Sequence, residues 1–145
     1  MVWPSPCQLR TLHTSYRVSK LDVSLAFYRA LGYEQVGRVD LGAGVSLTML
    51  KFPAEEVVTL ELVHRPDDRP VDLGTGFSHI PVQVDDLAAT LRRLIEAGLT
   101  PGPVERPGGP HGPQISWLKD PDGYRIELVQ WPPGHPYGMT AADFR

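Results

Sequence analysis

Two histidines and two glutamates stand at equal spacings along the chain. His13 precedes Glu61 by 48 residues, and His79 precedes Glu127 by 48 residues (61 − 13 and 127 − 79). Imidazole nitrogen and carboxylate oxygen are suitable ligands for Zn, Ni, Co, Fe or Mn, and two carboxylates neutralise a dication. Four protein ligands also leave two corners of an octahedron for water or substrate. We therefore interpret the four residues as ligands of one divalent metal ion. The alternative is that all four are ordinary polar residues at strand ends and solvated edges.

The equal spacing belongs to a longer internal repeat. A shift of 66 residues carries His13 to His79 and Glu61 to Glu127. The same shift matches apolar positions and glycines that mark the cores and ends of elements: Val18 with Val84, Leu21 with Leu87, Leu25 with Leu91, and Gly32 with Gly98. Because a fixed period indicates a repeated structural unit, we expect two similar modules.

Each copy has the pattern of one strand, one helix and three further strands. The first copy predicts strands at about 9–18, 33–40, 45–52 and 57–64. The second predicts strands at about 77–84, 99–105, 114–119 and 124–131. The first helix should have Ser19 as its N-cap and Gly32 at its C-terminal end, and the second should run from Asp85 or Asp86 to Gly98.

The fold class expected from this pattern is α+β, with tandem βαβββ modules forming cupped mixed sheets. We divide the chain into an N-terminal tail (1–8), a first module (9–64), a linker (65–76), a second module (77–131) and an extended C-terminal tail (132–145). Each helix covers only one face of its sheet, so the other face needs a partner or a ligand.

Strand alternation predicts which face carries the glutamates. In "TLELVH" (59–64) the leucines share one face and Glu61 lies on the other, and in "RIELVQ" (125–130) Ile126 and Leu128 lie opposite Glu127. The leucine and isoleucine face should contact the helix. Both glutamates should therefore point to the uncovered, concave face, where the two modules can bring the four candidate ligands together.

Composition excludes several classes of function. The net charge is −3, and no stretch combines basic residues with aromatic ones, which argues against binding to nucleic acid or an anionic membrane. No apolar run has the length of a signal peptide or a membrane span, so we expect a cytoplasmic protein. The single cysteine, Cys7, cannot form an intrachain disulfide. Trp117 and Trp131 are expected in the core, and His64 and His135 at the surface.

The motifs "HTSYRV", "DLGTGFSHI" and "DPDGYRIELVQ" resemble the glyoxalase I (lactoylglutathione lyase) branch of the vicinal oxygen chelate superfamily, over about residues 11–130. Glutamate at both carboxylate positions is typical of this branch. The resemblance implies the vicinal oxygen chelate fold and conversion of the hemithioacetal of methylglyoxal and a thiol to a 2-hydroxyacyl thioester. Glu127 would be the main base and Glu61 its counterpart, with glutathione as the thiol.

The resemblance also implies a homodimer whose sites lie at the interface, one module from each chain. Short members prefer Ni or Co and longer ones Zn, so this chain resembles the Ni or Co type. Arg17 matches the arginine that contacts the thiol's carboxylate. Arg65, Arg106 and His111 stand near other substrate-binding positions but depart from the usual residues, which leaves other thiols open. A related epimerase or dioxygenase, or a protein that sequesters a small toxic molecule, is the alternative.

Overall fold

A computed structural model of the chain describes residues 7–67 and 69–145. Two helices and seven strands follow one another along the chain. They are β1 (Thr14–Val18), α1 (Leu21–Leu31), β2 (Glu34–Gly42), β3 (Val45–Lys51), β4 (Leu60–His64), β5 (Ile80–Gln83), α2 (Leu87–Glu96), β6 (Gln114–Lys119) and β7 (Arg125–Gln130). Most of the expected N-terminal tail, residues 1–6, and Asp68 of the expected linker lie outside the described residues.

The strands form two mixed sheets, which confirms the predicted α+β class. The first sheet has the order β1-β4-β3-β2, with β1 parallel to β4 and the other neighbours antiparallel. The second has the order β5-β7-β6, with β5 parallel to β7 and β6 antiparallel to β7. In both sheets the strand that follows a candidate ligand histidine is therefore at the sheet edge, beside the strand that carries the glutamate.

The second module lacks the strand predicted at 99–105. The segment is extended and lies along β6, where Gly102 donates to the Trp117 carbonyl and Glu105 forms an isolated bridge with Ile115. Pro101 and Pro103 lack the N–H groups that a continuous ladder needs, so the pairing stays interrupted. The prediction of a fourth strand there was wrong, although the segment occupies its place beside β6.

The helix ends agree with the prediction at three of four positions. Gly32 and Gly98 have φ values of 127° and 89°, which glycine adopts without the steric penalty of a Cβ atom. Asp86 is the N-cap of α2 and accepts a hydrogen bond from the Ala89 N–H. The prediction for Ser19 was wrong. Lys20 is the N-cap of α1, and Ser19 instead donates to the Asp122 carboxylate of the second module.

A single apolar core lies behind both glutamate-bearing strands. Leu60 and Leu62 of β4, and Ile126 and Leu128 of β7, are each no more than 1% exposed. Their helix-facing position confirms the alternation from which the faces were predicted. At roughly 25 cal/mol per Å² of buried apolar surface, burial of each side chain of this size stabilises the folded state by about 1.5–3 kcal/mol. The glutamates are therefore carried on rigid strands.

The modules are joined by aromatic packing. Tyr16 of β1 stacks on Tyr124, just before β7, with ring centroids 4.0 Å apart, and Phe77 lies edge-on to both. Tyr124 also donates its hydroxyl to the Arg17 carbonyl at 2.8 Å. These contacts fix the second module against β1 of the first.

The C-terminal tail is not extended throughout, contrary to the prediction. Residues 141–144 form a 3-10 helix, and Thr140 and Asp143 make reciprocal capping hydrogen bonds at its start. His135 stacks on Trp131 and contacts the Asp143 carboxylate, so the tail folds back on itself. Within the described residues, no helix has the length and apolarity needed to cross a membrane.

Candidate active site

The first histidine–glutamate pair is built by the parallel pairing of β1 and β4. His13 immediately precedes β1, and the register places Ser15 opposite Glu61 and Thr14 opposite Leu60. Nε2 of His13 lies 3.2 Å from Oε1 of Glu61. The two side chains are 16% and 14% exposed, so they are accessible but partly desolvated.

The second pair repeats this construction on β5 and β7. His79 immediately precedes β5, and the register places Pro81 opposite Glu127. Ser15 and Pro81 are also related by the 66-residue shift, so the two pairs occupy equivalent places in their sheets. Nε2 of His79 lies 3.5 Å from Oε1 of Glu127, and these side chains are 31% and 20% exposed.

The geometry of each pair fits two neighbouring ligands of one metal ion. With metal–ligand bonds of about 2.0–2.2 Å, adjacent corners of an octahedron lie about 3 Å apart. The nitrogen–oxygen distances of 3.2 and 3.5 Å are close to this separation. In residues 7–67 and 69–145, however, no three His, Cys, Asp or Glu side chains converge on a common point. One chain therefore presents two separate pairs of candidate ligands.

Two serine hydroxyls contact the pairs, and no sequence pattern predicts either contact specifically. Ser15 donates its hydroxyl to Oε2 of Glu61 at 2.6 Å. The hydroxyl of Ser78 lies 2.8 Å from Nδ1 of His79. The only available signal was that Ser15 shares a strand face with His13. The bond from Ser78 to its neighbour depends on side-chain rotamers.

An aromatic wall stands beside the second pair. Trp117 of β6 is the strand partner of Glu127, and its ring lies 5.0 Å from the His79 imidazole at an interplanar angle of 85°. The Arg125 guanidinium lies 4.0 Å from the centre of the Trp117 ring, in cation–π contact. Trp117 is half-buried and lines the site, so its predicted place in the core was wrong.

A buried polar chain connects α1 to the turn before β7. The Tyr28 hydroxyl donates to Oδ2 of Asp120 at 2.7 Å and is hydrogen-bonded to the Tyr16 hydroxyl. The Asp120 carboxylate also accepts the N–H groups of Asp122 and Tyr124. Burial raises the pKa of Asp120 and outweighs the three donors, which act in the opposite direction. These buried hydrogen bonds support the packing of the two modules and include none of the four candidate ligands.

The predicted thiol-binding residues lie in different environments. Arg17 donates to the carbonyls of Arg69 and Pro70 at 2.8 and 2.9 Å, so its guanidinium fixes the linker. Arg106 and His111 line a cavity of about 370 Å³ together with Gln114, Gln130 and Trp131. Arg65 is exposed and does not line this cavity.

A larger cavity lies between the modules. Its volume is about 950 Å³, and its lining includes Thr14 and Ile80, the residues that follow the two histidines. None of the four candidate ligands lines this cavity or the smaller one. The four side chains are 14–31% exposed, so both pairs are accessible to solvent in the single chain.

Comparison with known proteins decides the family. The model of the Glyoxalase/Bleomycin resistance protein/Dioxygenase superfamily matches residues 10–128, which include both ligand pairs. The chain belongs to this superfamily. The members of the superfamily most useful for comparison are lactoylglutathione lyases, whose similarity extends over nearly the full length of both chains.

A lactoylglutathione lyase from Neisseria meningitidis is 39% identical over 128 residues, which cover 84% of this chain and 91% of that protein. A probable lactoylglutathione lyase from Synechocystis is 39% identical over 125 residues, covering 82% and 93%. A solved glyoxalase I variant from Zea mays is 31% identical with a TM-score of 0.71, covering 83% of this chain and 44% of that one. These similarities confirm the glyoxalase fold and a lyase of the glyoxalase I kind.

Proposed function

We propose that the protein is a metal-dependent glyoxalase I that converts the hemithioacetal of methylglyoxal and a thiol to a 2-hydroxyacyl thioester. The observation that carries this proposal is the repeated pair geometry. Two imidazole–carboxylate pairs stand at equivalent strand positions with nitrogen–oxygen distances suited to one coordination sphere. The ligands would be His13, Glu61, His79 and Glu127, and the ion would be Ni, Co or Zn.

The complete site would form between two chains. Each pair supplies only two donors, and among the described residues no third acidic, histidine or cysteine side chain joins either pair. A catalytic site of the expected kind needs about three or four protein ligands. A twofold dimer provides them when His13 and Glu61 of one chain face His79 and Glu127 of the other, which yields two equivalent sites.

The two carboxylates would move the proton of the reaction. When bound, the divalent ion would withdraw charge from the two adjacent oxygens of the substrate and make its C–H bond more acidic. Glu127 accepts the proton from one carbon and returns it to the neighbouring carbon, so no net proton is gained or lost. Trp117 is the strand partner of Glu127, and its ring beside the carboxylate would limit the access of water during transfer. Glu61 stands on the opposite side of the completed site.

The thiol portion of the substrate would bind beside Arg106 and His111. Both line the cavity of about 370 Å³, and Gln114 and Gln130 add amide donors there. A guanidinium group binds a carboxylate well, which suits glutathione or another acidic thiol. Arg65 remains a further candidate. Arg17 is engaged with the linker carbonyls, so a role in substrate binding would require it to exchange these bonds.

One assay tests the proposal directly. Metal-free protein is loaded separately with Ni²⁺, Co²⁺ and Zn²⁺, and each form is incubated with methylglyoxal and glutathione while thioester absorbance is recorded. We expect metal-dependent turnover with at least one ion. Glu127→Gln should retain metal and lose at least about 10²-fold in turnover, because general-base catalysis contributes about 10²–10⁴-fold. Near-normal turnover of this variant would refute the assigned role.

The assay also separates the other candidate functions. Tight metal binding without thioester formation from any thiol would favour a related epimerase or dioxygenase. Binding of a small toxic molecule without metal or turnover would favour a sequestering protein. The cytoplasmic location expected from the sequence stays a prediction, which cell fractionation would check.

A further inference from the structure

The hydroxyls of Ser15 and Ser78 break the symmetry of the two ligand pairs. The 66-residue shift maps Ser15 onto Pro81 and maps Leu12 onto Ser78. Neither Pro81 nor Leu12 has a side-chain hydrogen-bonding group. Each module therefore has one serine at its pair, but the serine contacts the carboxylate in the first module and the imidazole in the second.

The contact of Ser78 selects one nitrogen of His79 for the metal. Nδ1 lies 2.8 Å from the serine hydroxyl, whereas Nε2 faces the carboxylate of Glu127. In a neutral imidazole one nitrogen carries the proton and the other offers a lone pair. When Nδ1 donates its proton to Ser78, Nε2 is left as the ligand atom. Partners of this kind orient metal-bound histidines and fix their tautomer.

The contact of Ser15 restrains Glu61. Oε2 accepts the 2.6 Å hydrogen bond from Ser15, and Oε1 faces Nε2 of His13. Both oxygens of this carboxylate are thus engaged, and rotation of the group would break at least one contact. Glu127 is different, since among the polar and charged side chains of the described residues its carboxylate contacts only His79, at 3.5 Å. Its carboxylate is free to leave one ligand position and accept a proton.

We propose that Ser15 and Ser78 are positioning residues that make the two glutamates unequal. Ser15 fixes Glu61 as a stationary ligand, and Ser78 turns Nε2 of His79 toward the metal. Glu127, which among the described residues has no hydroxyl donor, is then the carboxylate that moves. This inference rests on the proposed glyoxalase function, because it assigns parts within that metal site. It concerns residues that do not touch the reacting atoms.

Three single variants and one rescue test the proposal by metal affinity. The variants are Ser15→Ala, Ser78→Ala and the control Thr14→Ala, whose exposed side chain projects from the opposite face of β1. Ni²⁺ dissociation constants are measured by chelator competition, with thermal unfolding as a check on folding. We expect Ser15→Ala and Ser78→Ala each to weaken Ni²⁺ binding about 10-fold, the lower end of the range for such partners. Thr14→Ala should match the wild type, and Ser78→Thr should restore affinity.

Two double variants, Ser15→Ala with Glu127→Gln and Ser15→Ala with Glu61→Gln, test the inequality of the carboxylates. In the wild-type background, Glu127→Gln should lose far more turnover than Glu61→Gln. In the Ser15→Ala background, Glu61 is released and can take over part of the proton transfer. The ratio of the turnover rates of the two glutamine variants should therefore become about 10-fold smaller, as expected for coupled neighbours. The absorption spectrum of Co²⁺-loaded Ser15→Ala should also differ from that of the wild type, reporting a changed ligand arrangement independently of activity.

The outcomes distinguish this proposal from the proposed function. Wild-type protein that binds none of the three ions and forms no thioester would overturn the glyoxalase function. The positioning roles alone would be overturned by a second result. In that case the wild type binds metal and turns over, while the serine variants keep its Ni²⁺ affinity, its Co²⁺ spectrum and its ratio of turnover between Glu61→Gln and Glu127→Gln. Equal losses in Ser78→Thr and Ser78→Ala would likewise overturn the role of the Ser78 hydroxyl.

Discussion

Complementation between two inactive variants should restore activity if the site forms between chains. One parent carries His13→Ala and Glu61→Gln, which removes the first pair. The other carries His79→Ala and Glu127→Gln, which removes the second pair. Each homodimer then has an incomplete ligand set in both of its sites. We expect both parents to be inactive and to bind Ni²⁺ weakly.

The magnitude of recovery follows from the geometry of the pairs. In a heterodimer of the two parents, one site combines the two damaged pairs and the other combines the two intact pairs. Random exchange of subunits at equal concentrations gives about one half heterodimer. With one intact site of two in each heterodimer, the mixture should recover about one quarter of wild-type activity per dimer, and the purified heterodimer about one half.

Two different affinity tags allow the heterodimer to be purified after co-expression and assayed for thioester formation. Ni²⁺ titration provides a readout separate from turnover, with one tight site expected per heterodimer against two in the wild type. A heterodimer without activity and without a tight site would refute the interface arrangement, because a site within one chain leaves each subunit of the heterodimer damaged. As the control, one parent is co-expressed with itself, one copy carrying each tag, and the dimer purified through both tags should stay inactive.

Two further predictions concern the scaffold. The pKa of Asp120 is higher in the folded state, so folding disfavours its ionised form. The free energy of unfolding of the wild type should therefore fall as the pH rises from the unfolded-state pKa of about 3.9 toward the higher folded-state pKa. The stability of Asp120→Asn relative to the wild type should therefore increase across that window, measured by urea unfolding at a series of pH values, and a pH-independent difference would contradict the assignment. Arg17→Ala should loosen the linker by removing the bonds to Arg69 and Pro70, so limited proteolysis near these residues should accelerate at least about 3-fold. A Lys replacement at Arg17, which cannot reproduce the two-pronged donation, should behave similarly, and unchanged cleavage in both variants would show that the linker does not depend on Arg17.

The equivalent places of the two histidine–glutamate pairs could be predicted from sequence because two independent periodicities agree on them. The period-2 alternation of "TLELVH" and "RIELVQ" predicts the faces of the glutamates, and the 66-residue shift relates the two copies. Buried Leu60, Leu62, Ile126 and Leu128 confirm the faces. Pairing of each histidine with its glutamate is a matter of register, which the parallel ladders of β1 with β4 and β5 with β7 supply.

Other features depend on interactions that periodicity does not encode. The 99–105 segment takes the place of a strand in the repeated pattern, but its prolines interrupt the ladder with β6. Ser19 has the residue type of an N-cap, yet its hydroxyl contacts Asp122, 103 residues away in the sequence. An N-cap serine accepts a backbone N–H group, whereas the Ser19 hydroxyl donates to a charged acceptor from the second module, and such charge-assisted hydrogen bonds are strong. Such tertiary contacts were beyond a single-sequence prediction.

The repeat explains both the similarity of the two pairs and the importance of their differences. A duplicated module provides equivalent imidazole–carboxylate pairs, but two identical surroundings would give neither glutamate a distinct part in the proposed proton transfer. The departures from repetition lie directly beside the pairs. Met49 is the strand partner of Glu61, whereas Trp117 is the partner of Glu127.

The first pair thus has a hydroxyl donor on its carboxylate. The second has an aromatic neighbour, and its carboxylate contacts His79 but no hydroxyl among the described residues. A hydrogen-bond donor restrains a charged group, while an apolar wall leaves it mobile and excludes water. Unequal surroundings therefore favour a fixed ligand on one side of the completed site and a mobile proton carrier on the other. In this interpretation, the repeated scaffold places the two pairs at equivalent positions, and a few neighbouring side chains give Glu61 and Glu127 different roles.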